Sequence, residues 1–137
     1  MNKFLYILSL FVQAFCLISV YIVNSLTSKK AGVMRHVYSR SLQYQQNIYS
    51  KESLLMQSVL SILLIIIFIM IFIFIKNRKN NFLKFQVIVG FILSFMVYFS
   101  INGSFFINSI SYIYFVMAFE ICLIIQILII TKLLLEK

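Results

Sequence analysis

The sequence of 137 residues has no proline and no tryptophan, and it contains only three glycines. Proline and glycine are the residues that most often break or kink a helix, so a helix in this chain has few points of interruption. Transporters that couple an ion or a proton to substrate movement commonly use broken helices at their binding sites. The scarcity of helix breakers therefore counts against that class of protein.

Acidic residues are also scarce, because only Glu52, Glu120 and Glu136 stand against twelve lysines and arginines, giving a formal net charge of +9. In a soluble domain such an excess would favour a nucleic-acid partner. Here the basic residues lie between long apolar runs, where they orient a membrane protein and contact anionic headgroups. We therefore expect the lipid bilayer and its anionic headgroups as partners, and no nucleic acid.

The chain is poor in groups that bind metals or carry out catalysis. Cys16 and Cys122 form no CxxC pair, and His36 is the single histidine and lies outside every apolar run. The sequence shows no Ser/His/Asp set, no paired carboxylates and no glycine-rich phosphate loop. We expect no metal site, no cofactor and no catalytic residue, and we interpret the protein as one that is not an enzyme.

Apolar side chains are abundant and make up 63% of the residues, whereas a soluble domain has roughly 45–50%. Four apolar runs approach the ~20 residues needed to cross a bilayer core of roughly 30 Å. They cover residues 4–26, 54–75, 82–101 and 110–131. Because a segment in lipid must satisfy its own backbone hydrogen bonds, each run is predicted to be a helix. The first run is too long for the apolar part of a cleaved signal peptide and is interpreted as a retained span.

These runs predict an all-α fold, an integral membrane four-helix bundle in which residues 1–137 form a single domain. The long connection 27–53 is predicted to carry an amphipathic interfacial helix, because basic and aromatic residues separate onto two faces when 33–50 is written as a helix. Gly32 is a candidate for the break before this helix. The residues expected to meet lipid headgroups or a partner, named here the basic surface, are Lys29, Lys30, Arg35, His36 and Arg40. A cap over the bundle, or an outward continuation of the second span, remains the alternative for this segment.

The distribution of basic residues predicts the orientation in the membrane. With both termini inside, seven basic residues lie inside, namely Lys3, Lys76, Arg78, Lys79, Lys84, Lys132 and Lys137. Five then lie outside, namely Lys29, Lys30, Arg35, Arg40 and Lys51. The positive-inside rule favours this arrangement by a small margin, and the inverted one remains open. The excess of Ile, Phe, Tyr, Lys and Asn suggests an AT-rich coding sequence, so we expect the cytoplasmic membrane of a bacterium with both termini cytoplasmic.

Small and polar residues recur at helical spacing along the first, third and fourth spans. Gly90 and Ser94 stack four residues apart on the third span, and Cys122 and Gln126 do so on the fourth. Small residues at this spacing let two helices approach closely in lipid, and polar ones hydrogen-bond across the contact. We predict that these four residues pack the helices together, whereas much of the second span faces lipid.

Glu120 lies near the middle of the fourth span, where a carboxylate is energetically unfavourable. At 1.5 Å per residue, Glu120 is ~16 Å deep, Gln13 ~14 Å and Ser94 ~16 Å. We predict that these three residues form an intramembrane polar cluster. No basic residue of the chain is expected at this depth, so Glu120 should be neutral, or else paired with a cation or with a basic group of a partner chain.

These features predict a small polytopic membrane protein that acts through helix–helix and surface contacts, as a non-catalytic subunit or partner-binding protein of a membrane complex. Its partners would be other membrane protein subunits or further copies of itself. The alternative is a proton- or cation-coupled transport or channel subunit that uses Glu120. A further alternative, by general size and charge alone, is a bacterial membrane protein that protects its producer from a toxin.

Overall fold

The computed structural model describes residues 3–77 and 81–135. Within these residues all regular structure is helical, and no strand is present. The elements in chain order are α1 (Lys3–Lys29), α2 (Ala31–Asn47), α3 (Lys51–Ile75), α4 (Asn81–Asn102), α5 (Ser104–Ile107) and α6 (Tyr112–Leu135). Four of them, α1, α3, α4 and α6, are long and apolar enough to cross a membrane. The prediction of an all-helical membrane protein with four candidate spans is therefore confirmed.

The ends of the helices differ from the ends of the apolar runs that predicted them. α1 continues to Lys29, and α3 begins at Lys51 because Ser50 caps it. The Ser50 hydroxyl accepts a hydrogen bond from the backbone N–H of Ser53, which satisfies one of the donors left free in the first turn of a helix. The capping signal is polar, so a search for apolar runs alone places the start of this helix too late.

The break between α1 and α2 lies at Lys30, whose backbone is extended with φ −127° and ψ 114°. The expectation that Gly32 marks this break is wrong, because Gly32 is part of α2. A second difference occurs after α4, where the connection contains the short helix α5 in place of a simple turn. The Phe106 side chain of α5 meets other aromatic rings edge-on, namely Phe99, Phe105, Phe115 and Phe119. This ring cluster holds α5 against α4 and α6.

The long helices alternate in direction. At one end, called here the α2 end, α1 meets the start of α6, since the Ser111 hydroxyl just before α6 donates to Asn24. At the opposite end, called the terminal end, the Tyr6 ring of α1 contacts the Phe82 ring of α4 edge-on. α4 packs against both α3 and α6, and α6 in turn packs against α1, α2 and α5.

Two apolar clusters hold these helices together. The cluster near the α2 end contains the buried residues Tyr49, Val97, Ile101, Tyr112, Ile113, Val116 and Leu123. The cluster near the terminal end contains the buried residues Phe68, Ile75, Leu83, Val87 and Ile130. α1 contributes to neither cluster, and among its described side chains only Thr27 is buried. α1 is therefore the most peripheral of the four long helices, and the second span, α3, also leaves most of its apolar side chains exposed.

Candidate functional site

Three glutamine side chains form a hydrogen-bonded network that joins three helices. The Gln13 amide of α1 donates to the Gln126 side-chain oxygen of α6 at 3.0 Å. The Gln126 amide donates in turn to Gln86 of α4, at 2.7 Å to its side-chain oxygen and 2.9 Å to its backbone carbonyl. Gln126 is only 1% exposed. Because the Gln126 side chain is buried, its hydrogen bonds fix how α1, α4 and α6 are rotated against one another.

Glu120 has a different partner from the two that depth counting predicted. Its carboxylate oxygen Oε2 accepts a hydrogen bond of 2.7 Å from the Tyr49 hydroxyl. Gln13 bonds to Gln126, and the Ser94 hydroxyl donates to the backbone carbonyl of Gly90. The predicted cluster of Glu120, Gln13 and Ser94 is therefore not formed. Equal depth was necessary for such a cluster but not sufficient, because the side chains leave their helices in different directions.

Tyr49 was not among the predicted site residues, and it enters the site through the fold of a connection. It lies just after α2, outside the spans, and its side chain is buried in the apolar cluster near the α2 end. Burial, followed by the hydrogen bond to Glu120 and the charge of that carboxylate, raises the pKa of the Tyr49 phenol far above its usual value of 10.0. The phenol therefore keeps its proton across the physiological range and acts as a permanent donor to Glu120.

A cavity of about 180 Å³ lies beside Glu120, between α3, α4 and α6. Its polar lining comes from Glu120, Gln57 and Ser61, and the side-chain oxygen Oε1 of Gln57 is buried with no hydrogen-bond partner among the described residues. Its apolar lining consists of Leu60, Leu64, Val97, Leu123 and Ile124. Gln57 was not predicted as a site residue. A single glutamine near the start of an apolar run does not show how deep its side chain lies or towards which helix it points.

The four residues predicted to pack the helices together are all buried. Gly90 faces both neighbours of α4, because a Cβ atom there would lie 2.9 Å from the Phe68 ring of α3 and 3.1 Å from Ile130 of α6. Cys122 is covered by α1, since its backbone carbonyl accepts from the Gln13 amide at 3.4 Å. Gly90, Ser94, Cys122 and Gln126 therefore lie where helices approach one another closely.

The basic surface remains exposed on α2 and the adjoining end of α1. α2 buries Val37 and Ser41. Its Tyr44 ring meets the Tyr114 ring of α6 edge-on, which attaches α2 to the rest of the molecule. Arg40 donates to the Gln43 side chain at 3.1 Å. The charged groups of this surface are therefore free to contact something outside the chain.

Among residues 3–77 and 81–135 no group of three or more His, Cys, Asp or Glu side chains could hold a metal ion. The basic residues Arg78, Lys79 and Lys137, which entered the prediction of orientation, lie outside the described residues. No protein-family model, curated protein or solved structure matches this chain.

Proposed function

We propose that this chain is a non-catalytic subunit or partner-binding protein of a membrane complex, and that it acts through contacts of its basic surface. In this proposal the four long helices cross the cytoplasmic membrane of a bacterium as a bundle, with both termini cytoplasmic. α2 lies at the opposite membrane interface. Its buried Val37 and Ser41 face the bundle, and its charges face headgroups and a partner.

The proposal rests on one contrast: the uncharged amide groups lie between the helices, and the basic groups lie on an exposed surface. At membrane depth the amide groups of Gln13, Gln86 and Gln126 bond to one another and hold helices together. The exposed charges on α2 and the adjoining end of α1 are all cationic, while the exposed Glu52 lies at the start of α3. A surface of this kind recognises acidic groups, on a protein or on a lipid headgroup, by charge complementarity.

The apolar contacts at the terminal end also favour a binding role over a conduction role. Beyond the glutamine network, α3, α4 and α6 meet through Ile75, Leu83 and Ile130, each of which is at most 2% exposed. A route for ions or protons needs polar groups or water along its length. Packed aliphatic side chains at this position are suited to holding helices in place.

Photo-crosslinking in native membranes tests the proposal. A photoreactive phenylalanine derivative is placed at Arg40, on the basic surface, or at Phe15, an exposed residue of α1. We expect a discrete protein adduct from position 40 and only lipid adducts from position 15. Replacing both Arg35 and Lys30 by glutamine should reduce the yield at position 40 several-fold. Lipid adducts alone at both positions would contradict the proposal.

A second candidate function, proton- or cation-coupled transport, is favoured by the placement of Glu120 beside a cavity. Flux measurements on vesicles containing the wild-type chain or Glu120→Gln separate it from the first, because glutamine keeps hydrogen bonding and removes titration. The binding role predicts that both vesicle preparations leak protons and cations no faster than empty vesicles. A wild-type flux that disappears in Glu120→Gln, with unchanged assembly, would support the transport role instead.

A further inference from the structure

The cavity between α3, α4 and α6 combines hydrogen-bond acceptors with an aliphatic wall. Three of its lining residues, Glu120, Gln57 and Ser61, carry side-chain oxygens that can accept hydrogen bonds. Tyr49 donates one hydrogen bond to Glu120, while a carboxylate offers about four acceptor positions. The Ser61 hydroxyl donates to the backbone carbonyl of Ser58, which leaves its own oxygen able to accept.

The Gln57 oxygen is the most informative of these groups. It is buried and has no hydrogen-bond partner among the described residues. Buried polar atoms in folded proteins are almost always bonded, so an unpaired one beside a cavity indicates a donor that the chain itself does not supply. In the hydrocarbon region, such a donor has to belong to a ligand with an apolar part or to a partner protein.

The cavity is reachable from the side of the molecule. Leu60 and Ile124, on neighbouring helices, are 58% and 57% exposed and form its rim. Leu123 and Ser61, at 6% and 1% exposed, form its inner wall. A ligand entering between α3 and α6 would therefore pass from lipid-facing leucine and isoleucine side chains to the buried acceptors.

The geometry points to a binding site for a primary ammonium group carried on a short aliphatic stem. An ammonium group has three N–H donors and no acceptor, which matches the three acceptors at Glu120, Gln57 and Ser61. Its positive charge complements the one carboxylate in the cavity, and the stem contacts the apolar lining. The same chemistry is offered by a free alkylamine and by a lysine side chain on a neighbouring transmembrane helix. This site does not depend on the proposed role of the basic surface, which lies on another element.

Carbon-13 labelling of glutamate tests the site directly, because the full chain contains only three glutamates. The labelled protein is placed in nanodiscs of zwitterionic lipid and titrated with n-butylammonium chloride. We expect the Glu120 carboxyl resonance, assigned by its loss in Glu120→Gln, to shift saturably. The resonance of the exposed Glu52 serves as the internal control and should not move.

Two comparisons make the test specific for an ammonium donor. Butyltrimethylammonium carries the same charge without an N–H group, so it should not produce the shift. Gln57→Leu removes one acceptor while keeping the side chain of similar size, and it should weaken the apparent affinity by about tenfold or more. A shift of equal size with both cations, or an unchanged affinity in Gln57→Leu, would overturn the proposal.

A third arm distinguishes the two sources of the group. The nanodiscs are loaded with a polyleucine transmembrane peptide that carries one central lysine, or with its all-leucine counterpart. A Glu120 shift that appears only with the lysine peptide assigns the site to a partner helix, whereas a shift with butylammonium alone assigns it to a free amine. No shift with either would overturn the proposal.

Discussion

At the scale of single residues, Gly90 lies where α4 approaches both α3 and α6. Gly90 lies on the buried face of α4, and any side chain there meets the Phe68 ring and the end of the Ile130 side chain. The Phe68 ring is itself only 3% exposed. Close approach between α4 and its two neighbours therefore depends on the missing Cβ atom, as expected for small residues at contacts in lipid.

Gly90→Ala should lower the free energy of unfolding by about 1–3 kcal/mol, the usual effect of overfilling a packed interior. The matched control is Gly32→Ala, because a Cβ atom at Gly32 meets nothing within 4 Å. That substitution should stabilise α2 by about 0.5–1 kcal/mol, since alanine restricts the unfolded chain more than glycine does. Thermal unfolding of the detergent-solubilised variants, followed by circular dichroism, measures both. Equal stability of Gly90→Ala and the wild type would show that the contact relaxes freely.

At the scale of elements, α1 depends on a few polar contacts for its position. It has one buried residue among its described side chains and belongs to neither apolar cluster. Its attachment to α6 runs through Gln13 and Gln126 near the middle and through Asn24 and Ser111 at the α2 end. Lipid is as apolar as a leucine side chain, so apolar surface alone gives little reason for α1 to stay beside α6. The hydrogen bonds therefore decide its place.

Gln126→Leu keeps the size of the side chain and removes its hydrogen bonds to Gln13 and Gln86. One of these bonds, the one to Gln13, involves α1, so at ~0.6 kcal/mol for each interhelical bond the attachment of α1 should weaken by that amount. Cys122, which α1 covers, should then react several-fold faster with N-ethylmaleimide in a Cys16→Ser background in detergent. Gln46→Leu, at an exposed position of α2, serves as the control and should leave the rate unchanged. An unchanged rate in Gln126→Leu would mean that apolar contacts alone hold α1.

At the scale of the whole molecule, an even number of long apolar helices constrains how the chain can sit in a membrane. If all four cross, α2 and α5 lie on one side, and both termini lie on the other with the connection between α3 and α4. The basic residues near the termini and this connection outnumber those on the α2 side by seven to five. The positive-inside rule then predicts that the termini lie in the cytoplasm.

Reporter fusions measure this orientation. A fluorescent protein fused after Lys137 should fluoresce, and alkaline phosphatase inserted after Asn108 should be active, because the first reporter works only on the cytoplasmic side and the second only on the external side. Replacing Arg78 and Lys79 by glutamine should produce a mixed orientation, since it removes the small charge margin. Termini found on opposite sides would show that one of the four helices does not cross the membrane.

The sequence by itself determined the class and the number of long helices. A bilayer accepts a chain only if every backbone N–H and C=O group is bonded internally, so four long apolar runs without proline have to be helices. The runs also located Gly90, Ser94, Cys122 and Gln126, because small and polar residues at a spacing of four stand out against an apolar background. These features are local, and local spacing is what a sequence displays.

Only the tertiary structure decided which polar groups meet. Glu120 bonds Tyr49 because the connection after α2 folds back toward α6, and Gln13 bonds Gln126 because of how α1 is rotated about its axis. Hydropathy does not encode that rotation, since every face of an apolar helix is equally compatible with lipid. The pairing at membrane depth is set by a few hydrogen bonds between segments that lie 71 or 113 residues apart in the chain.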